Sequence, residues 1–219
     1  MKIIVIGGHG KVGLLLTREL ANRGDEVTSV IRNPAHADEV RAAGGTDVVL
    51  DIERAQAPEL EPVLAGFDAV VFSAGAGGGD ADRTYAVDRD AAIRIMNASM
   101  AAGVQRFIMV SFATADTQYL KPLDDPFYPY QAAKIAADEH LRESALDWTI
   151  LGPGALTLES ATGKVTPLEH PISGDTSTSR ANVALAIAES LVQPRTVGAT
   201  LKFCDGEMPI AQWFATLGA

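Results

Sequence analysis

The sequence holds a single cysteine, Cys204, among 219 residues. An internal disulfide framework is therefore excluded, and a reducing, cytoplasmic setting is expected. Cys204 falls in a late apolar run, where a small packed side chain is a better reading than a nucleophile. Long apolar runs are missing too. No segment approaches the ~20 residues of a membrane span, and the N-terminal run is too short and too broken by glycine for a signal peptide. Positive charge is scarce: 18 Lys and Arg stand against 28 Asp and Glu, a formal net charge of -10. That balance argues against nucleic-acid or anionic-membrane partners. The four histidines and one cysteine show no metal-ligand spacing. Repeats, low-complexity tracts and linker-like breaks are also lacking. One domain over 1–219 is expected, with 155–219 as a small substrate-side extension.

What the sequence does have begins at its first residues, MKIIVIGGHGKVG. A β-rich apolar run, Ile3-Ile4-Val5-Ile6, leads into Gly7, Gly10 and Gly13, and Leu14-Leu15-Leu16 opens a helical pattern. Strand, tight turn and helix follow one another. Glycine permits the sharp bend and a close approach of backbone to ligand. The helix then turns free N–H groups and its positive dipole end toward the turn, which suits a pyrophosphate. The spacing is G-x-x-G-x-x-G, and its place between strand and helix points to a dinucleotide.

The pattern repeats downstream. Apolar strands are expected at 27–31, 48–50, 69–72, 107–110 and 148–151, with helices at 34–43, 58–65, 81–103 and 127–144. Strands alternating with helices mean a parallel sheet covered on both faces. In the helix at 81–103, Val87, Ala91, Ile95 and Ala98 form the buried stripe. Asp88 and Asp90 are expected to face solvent, although Asp88 has the option of turning toward the site. The segments 114–126 and 155–177 read as loops that shape a pocket, and Gly152-Pro153-Gly154 reads as the end of a strand. A helix at 179–192 capped by Ser179 or Thr178, a strand at 199–204 and a helix at 209–217 complete the chain.

Arg32 stands at the end of the second strand, 19 residues after Gly13. A dinucleotide fold commonly carries an acid about 20 residues after the last glycine, for the ribose 2′-hydroxyl. An arginine there offers its guanidinium to a 2′-phosphate instead, so NADP(H) is favoured over NAD(H). Lys11 adds charge to the same turn. Asp51, after the third strand, is placed either to accept from an adenine amino group or to cap the next turn. The glycine-rich run 73–79 belongs beside the cofactor.

Tyr130 and Lys134 are i and i+4 and share a helical face. A lysine beside a tyrosine is expected to lower the phenol pKa toward neutrality. Such a phenol can exchange a proton with a carbonyl or alcohol oxygen. Ser111, at the end of the fifth strand, can hydrogen-bond the same oxygen.

These residues together resemble the short-chain dehydrogenase/reductase superfamily, in particular its small atypical members of NAD-dependent epimerase/dehydratase type. The resemblance runs through GGHGKVG, VIRNP, RFIMVS, YQAAK, LDWTILGPGAL and SRANVA. It implies a Rossmann-type doubly wound parallel sheet with helices on both faces. By that resemblance Gly7, Gly10, Lys11, Val12 and Gly13 surround the pyrophosphate and Arg32 takes the 2′-phosphate. Asp51 and Ile52 flank the adenine, and Ser73, Ala74 and Gly75 line the ribose side. Ser111, Tyr130 and Lys134 form the catalytic set, Lys134 also holds the nicotinamide ribose, and Pro153 borders the nicotinamide. Two departures stand out: Gly152 replaces the arginine usual before Pro-Gly, and Asp88 falls where many relatives carry asparagine. The implied function is hydride transfer with a small carbonyl, quinone or flavin-like substrate, by a monomer or homodimer. An NADP(H)-sensing binding protein and a flavin or biliverdin reductase-like enzyme are the alternatives.

Overall fold

The computed structural model describes residues 1–77, 80–170 and 172–218. The last two residues of the second glycine run, Gly78 and Gly79, and Pro171 of the 155–177 segment lie outside them. The first half alternates β1 (Lys2–Ile6), α1 (Lys11–Arg23), β2 (Glu26–Ile31), α2 (Ala37–Ala42), β3 (Thr46–Val49), α3 (Ala57–Leu64) and β4 (Ala69–Phe72). Then come α4 (Ala81–Thr84), a π-helical stretch Tyr85–Ala91, α5 (Ala92–Ala101), β5 (Arg106–Val110), α6 (Tyr128–Glu143) and β6 (Asp147–Pro153). The remainder forms β7 (Leu156–Thr157), β8 (Lys164–Pro167), β9 (Thr178–Ser179), α7 (Arg180–Val192), β10 (Ala199–Asp205), β11 (Met208–Pro209) and α8 (Ile210–Ala215).

One nine-stranded sheet has the order β11-β8-β10-β6-β5-β4-β1-β2-β3. From β10 to β3 all neighbours are parallel, while β8 runs antiparallel to β10 and β11 to β8. Beyond β1 the chain builds outward through β2 and β3, then returns to β4 on the other side and builds toward β6. The C-terminal ends of β1 and β4 therefore flank a reversal of strand order, where open parallel sheets hold ligands. The fold is the expected doubly wound, Rossmann-type sheet.

The apolar run of β1 is buried because both of its faces are covered. Ile3 and Val5 pack with Leu16 and Leu20 of α1, and with Val183 and Ile187 of α7. Ile4 and Ile6 pack on the other side with Leu60 and Leu64 of α3, Ile95 of α5 and Leu141 of α6. A strand buried on both faces reads as continuous apolar residues rather than as an alternation. Ser179 caps α7 by accepting from Asn182 N–H at 3.0 Å.

Three expectations need correction. The helix at 81–103 is not regular α-helix: its middle is a π-helical stretch, in which Val87, Asp88 and Ala91 are all buried. Asp88 is only 1% exposed, so the solvent-facing position expected for it is wrong and its other option, turning inward, is the one taken. β6 does not stop before Gly152-Pro153. It runs through Pro153, whose carbonyl still accepts from Ala113 N–H at 2.8 Å. The 155–177 segment is not all loop, since β8 extends the sheet and β7 pairs with β9.

Candidate functional site

The turn after β1 is shaped by its own close contacts. Gly7 has φ +85°, and a Cβ there would stand 2.7 Å from Ala74 Cα, at the end of β4. A Cβ on Gly13 would meet the Gly7 carbonyl oxygen at 2.6 Å, so α1 packs directly on the turn. Gly10 N–H closes the turn onto Gly7 O at 2.9 Å. No side chain caps α1 and no acid lies in its first turn. Its N-terminal N–H groups and dipole are thus left to a ligand, and they fit an anion such as a pyrophosphate.

A cavity of about 340 Å³ opens beside this turn. Gly7 and Gly10, Arg32, Asp51 and Ile52, and Ser73, Ala74 and Gly75 all line it. The structure thus brings together most of the cofactor residues expected from sequence. Asp51 Oδ1 accepts from Glu53 N–H at 3.2 Å, so Asp51 does cap the turn after β3 while also lining the cavity. Five expected cofactor residues do not line it: Lys11, Val12, Gly13, Lys134 and Pro153, of which Pro153 lines the second cavity described below. The Lys11 side chain is exposed and Val12 is packed into the core, which leaves Val12 only its backbone to offer.

Sequence reasoning missed Glu53 and Arg83 in the same cavity. Glu53 Oε2 lies 3.6 Å from Arg32 Nη1 and accepts from Arg83 Nε at 3.3 Å. Arg83 Nη1 also donates to Ala76 O at 2.8 Å. Two guanidiniums thus share one carboxylate beside the end of β2. Arg94 holds the loop beneath, donating to the carbonyls of Ile52, Glu53 and Ala55.

A second cavity, of about 370 Å³, lies at the ends of β5 and β6. Ser111, Tyr130 and Pro153 line it, with Phe112, Phe127, Leu156 and Ile172 among the other walls. Ser111 Oγ donates to Asp138 Oδ2 at 2.6 Å. Lys134 is fully buried; its Nζ donates to Val110 O at 3.0 Å and stands 3.4 Å from Asp88 Oδ1. Asp88 Oδ2 in turn accepts from Ala76 N–H at 2.9 Å. Asp88 therefore links the second glycine run, beside the first cavity, to the lysine beneath the second. Gln131 fixes the 114–126 loop, accepting from Lys121 N–H and donating to Thr114 O and Tyr119 O.

The electrostatics of this cluster differ from expectation at one point. Tyr130 was expected to have a lowered pKa. Burial instead raises it; Lys134 pulls it down, but Asp88 and Asp138 push it up. The phenol is therefore held in its neutral, proton-bearing form. Burial also pulls Lys134 down, yet Tyr130, Asp88 and Asp138 outweigh this and the ammonium stays charged. Burial pushes Asp138 up to about 6, against the hydrogen bond from Ser111 and the pull of Lys134. Sequence reasoning missed Asp138, although its spacing carried a signal: Tyr130, Lys134 and Asp138 recur every four residues along one face of α6.

Cys204 is buried in β10, with its thiol pushed up by burial, and packs as expected. Among the described residues no group of three or more His, Cys, Asp or Glu could hold a metal. No described helix is long and apolar enough to cross a membrane.

Comparison with known proteins agrees with this geometry. A family model described as NAD(P)H-binding matches residues 7–194. The UPF0659 protein YMR090W of Saccharomyces cerevisiae is 37% identical, over 99% of both chains. A solved structure from Bacillus halodurans, named as an NAD-dependent epimerase/dehydratase without further characterisation, is 37% identical with a TM-score of 0.90. That match covers 99% of this chain and all of the other. The oxidoreductase ylbE of Lactococcus lactis is 28% identical with a TM-score of 0.87, over 99% and 96% of the two chains. With its doubly wound sheet, glycine turn and Tyr-x-x-x-Lys helix, this chain belongs to the NAD(P)H-binding family, as an atypical short-chain dehydrogenase/reductase-like protein.

Proposed function

We propose that the protein is an NADP(H)-dependent oxidoreductase that interconverts a small carbonyl compound and its alcohol. The observation that carries this reading is the cluster of Ser111 and Tyr130, which line the second cavity, with the buried Lys134, Asp138 and Asp88, the last tied through Ala76 to the glycine run beside the first cavity. Gly7, Gly10 and Gly13, with the backbone of Lys11 and Val12, hold the pyrophosphate in this reading. Arg32 holds the 2′-phosphate, Asp51 and Ile52 the adenine, and Ser73, Ala74 and Gly75 the ribose side. Pro153 borders the nicotinamide, and Lys134 reaches its ribose. Within the 155–219 segment of the one domain, the part up to Thr176 works as the substrate-side extension, because Ala155, Leu156, Ile172 and Thr176 wall the second cavity, while α7 and β10 complete the core.

A nicotinamide held by these residues would supply the hydride, so that one carbonyl compound, one NADPH and one proton would give one alcohol and one NADP⁺. The protein's own part is proton transfer and orientation. The neutral phenol of Tyr130 donates to the carbonyl oxygen. Lys134 stabilises the phenolate left behind, because a fixed ammonium in a desolvated site favours the anion. Ser111 steadies the same oxygen.

The test is a side-by-side titration of the purified protein with NADPH and NADH, followed by turnover with carbonyl compounds. Tight NADPH, weak NADH and turnover are expected. Binding without turnover would favour an NADP(H)-sensing protein, and binding of neither would remove the cofactor reading.

A further inference from the structure

The cavity above Ser111 and Tyr130 has a character that the general reading does not use. Its described walls are Ser111, Phe112, Ala113, Thr114, Phe127 and Tyr130 from the β5 side, with six more from the 153–176 region, and none is charged. Three aromatic rings meet at one wall. Phe112 and Tyr130 have centroids 5.1 Å apart, Phe127 and Tyr130 5.3 Å, and Phe112 and Phe127 5.8 Å. Phe127 is 43% exposed and Leu156 39% exposed, so the mouth is apolar and open.

The nearby cations are engaged elsewhere. Lys134 is committed to Val110 O and Asp88, and Lys202 to Asp116 at 3.5 Å. Arg180 Nη1 donates to the carbonyls of Leu156 and Thr157. Gly152 precedes Pro153 of the cavity wall. A Cβ there would lie 3.1 Å from Lys202 Cγ and 3.3 Å from Phe112 O, so the packing leaves a larger side chain little space.

We infer that this cavity takes an uncharged carbonyl compound built on a flat aromatic ring, and rejects anionic ones. The inference rests on the oxidoreductase reading for its chemistry but not for its binding preference. A flat ring gains offset or edge contacts with the three aromatic side chains. The remaining polar groups, the hydroxyls of Ser111 and Tyr130, suffice for one carbonyl oxygen. A carboxylate or phosphate would lose its hydration and find no cation in exchange. Nucleotide-diphosphate sugars, flavin mononucleotide and carboxylate-bearing pigments are thereby disfavoured.

The experiment compares 2-acetonaphthone with 6-acetyl-2-naphthoate, the same ketone bearing a carboxylate. Binding of each to the protein is measured by titration calorimetry and saturation-transfer NMR, with NADP⁺ and without it, and NADPH binding is measured on the same preparation. The neutral ketone is expected to bind at least roughly tenfold more tightly, the scale set by one uncompensated charge. Phe127→Ala, a change at a half-exposed ring, should weaken the ketone several-fold and leave NADPH binding unchanged. Thr114→Lys should narrow or reverse the preference. Equal or tighter binding of the carboxylate would overturn the inference, as would binding of neither ketone by protein that binds NADPH. Preference for the neutral ketone in protein that fails to bind NADPH would sink the oxidoreductase reading and leave this inference standing.

Discussion

Ser111 and Asp138 share one hydrogen bond, Oγ to Oδ2 at 2.6 Å, between two buried side chains. An ionised Asp138 can only accept, so it fixes the serine hydrogen on itself and leaves the outer face of Ser111 as an acceptor. A protonated Asp138 can donate instead, which frees the serine hydrogen for a carbonyl oxygen. Burial pushes this carboxyl up to about 6, so the change falls near neutral pH.

A pH profile follows from that bond. Carbonyl reduction is expected to decline as pH rises through about 6, and Asp138→Asn should flatten that limb. The stability argument has a definite sign. Folding raises the pKa above its ordinary 3.8, so the associated stability is present below that value and is lost as pH rises through about 6. The loss is on the order of 3 kcal/mol, at about 1.4 kcal/mol per unit. Asp138→Asn should therefore raise Tm at pH 8 more than at pH 5. Equal shifts at both pH values would refute the account.

In the proposed reading Arg32 and Glu53 set the cofactor preference together. Arg32→Ala removes a charge-assisted contact worth about 1.5–3 kcal/mol where it forms, with the lower end apt for a side chain 57% exposed. NADPH affinity should drop roughly tenfold while NADH affinity holds. Glu53→Gln should act oppositely and tighten NADPH, because Arg32 and Arg83 no longer share a carboxylate. The ratio of the two dissociation constants is the measurement, and an unchanged ratio in both variants would remove the phosphate from this corner.

Tyr130→Phe keeps the ring, and with it the contacts to Phe112 and Phe127, and deletes the hydroxyl that the proposed reaction uses as proton donor. Turnover should fall by roughly 10²–10⁴-fold, the usual worth of a positioned acid or base. NADPH affinity should stay within about twofold, a change of only about 0.4 kcal/mol. Wild-type turnover in this variant would assign the proton to another group.

The parts of this molecule that were legible in sequence are those encoded over short spacings. The β1 run, the Gly7–Gly13 turn, Arg32 after β2, Ser111 after β5 and the Tyr130–Lys134 pair each lie within one strand, turn or helix face. What escaped depends on elements meeting in space. Glu53 and Arg83 approach across a separation of 30 residues, and nothing local marks either. Asp88 was read first as solvent-facing because it carries a charge, although a regular period already sets it beside Ile95 on the buried flank; what the sequence hides is its partner, Lys134 on another helix. Tyr130 was identified but its pKa direction was misread, because the sequence displays the nearby lysine and hides the burial and the two carboxylates. Strands β7, β8, β9 and β11 were missed because they are two to four residues long and lack the continuous apolar run that marks the equally short β4.

The pair of Lys134 and Asp88 gives a last test, one that separates structure from chemistry. Both are buried, 3.4 Å apart, with side-chain exposures of 4% and 1%. Removing one member of such a pair leaves the other charge without compensation and costs about 3–5 kcal/mol. Lys134→Met should therefore destabilise the fold by about that much in urea titrations, and the methionine should fill most of the vacated space. Asp88→Asn keeps an oxygen for Ala76 N–H and removes the charge, so in the Lys134→Met background it should restore a large part of the loss. Restoration of stability without restoration of turnover would mark Lys134 as a chemical participant as well as a structural one. Failure to restore stability would mean that the ammonium is held chiefly by Val110 O, and that Asp88 serves the second glycine run alone.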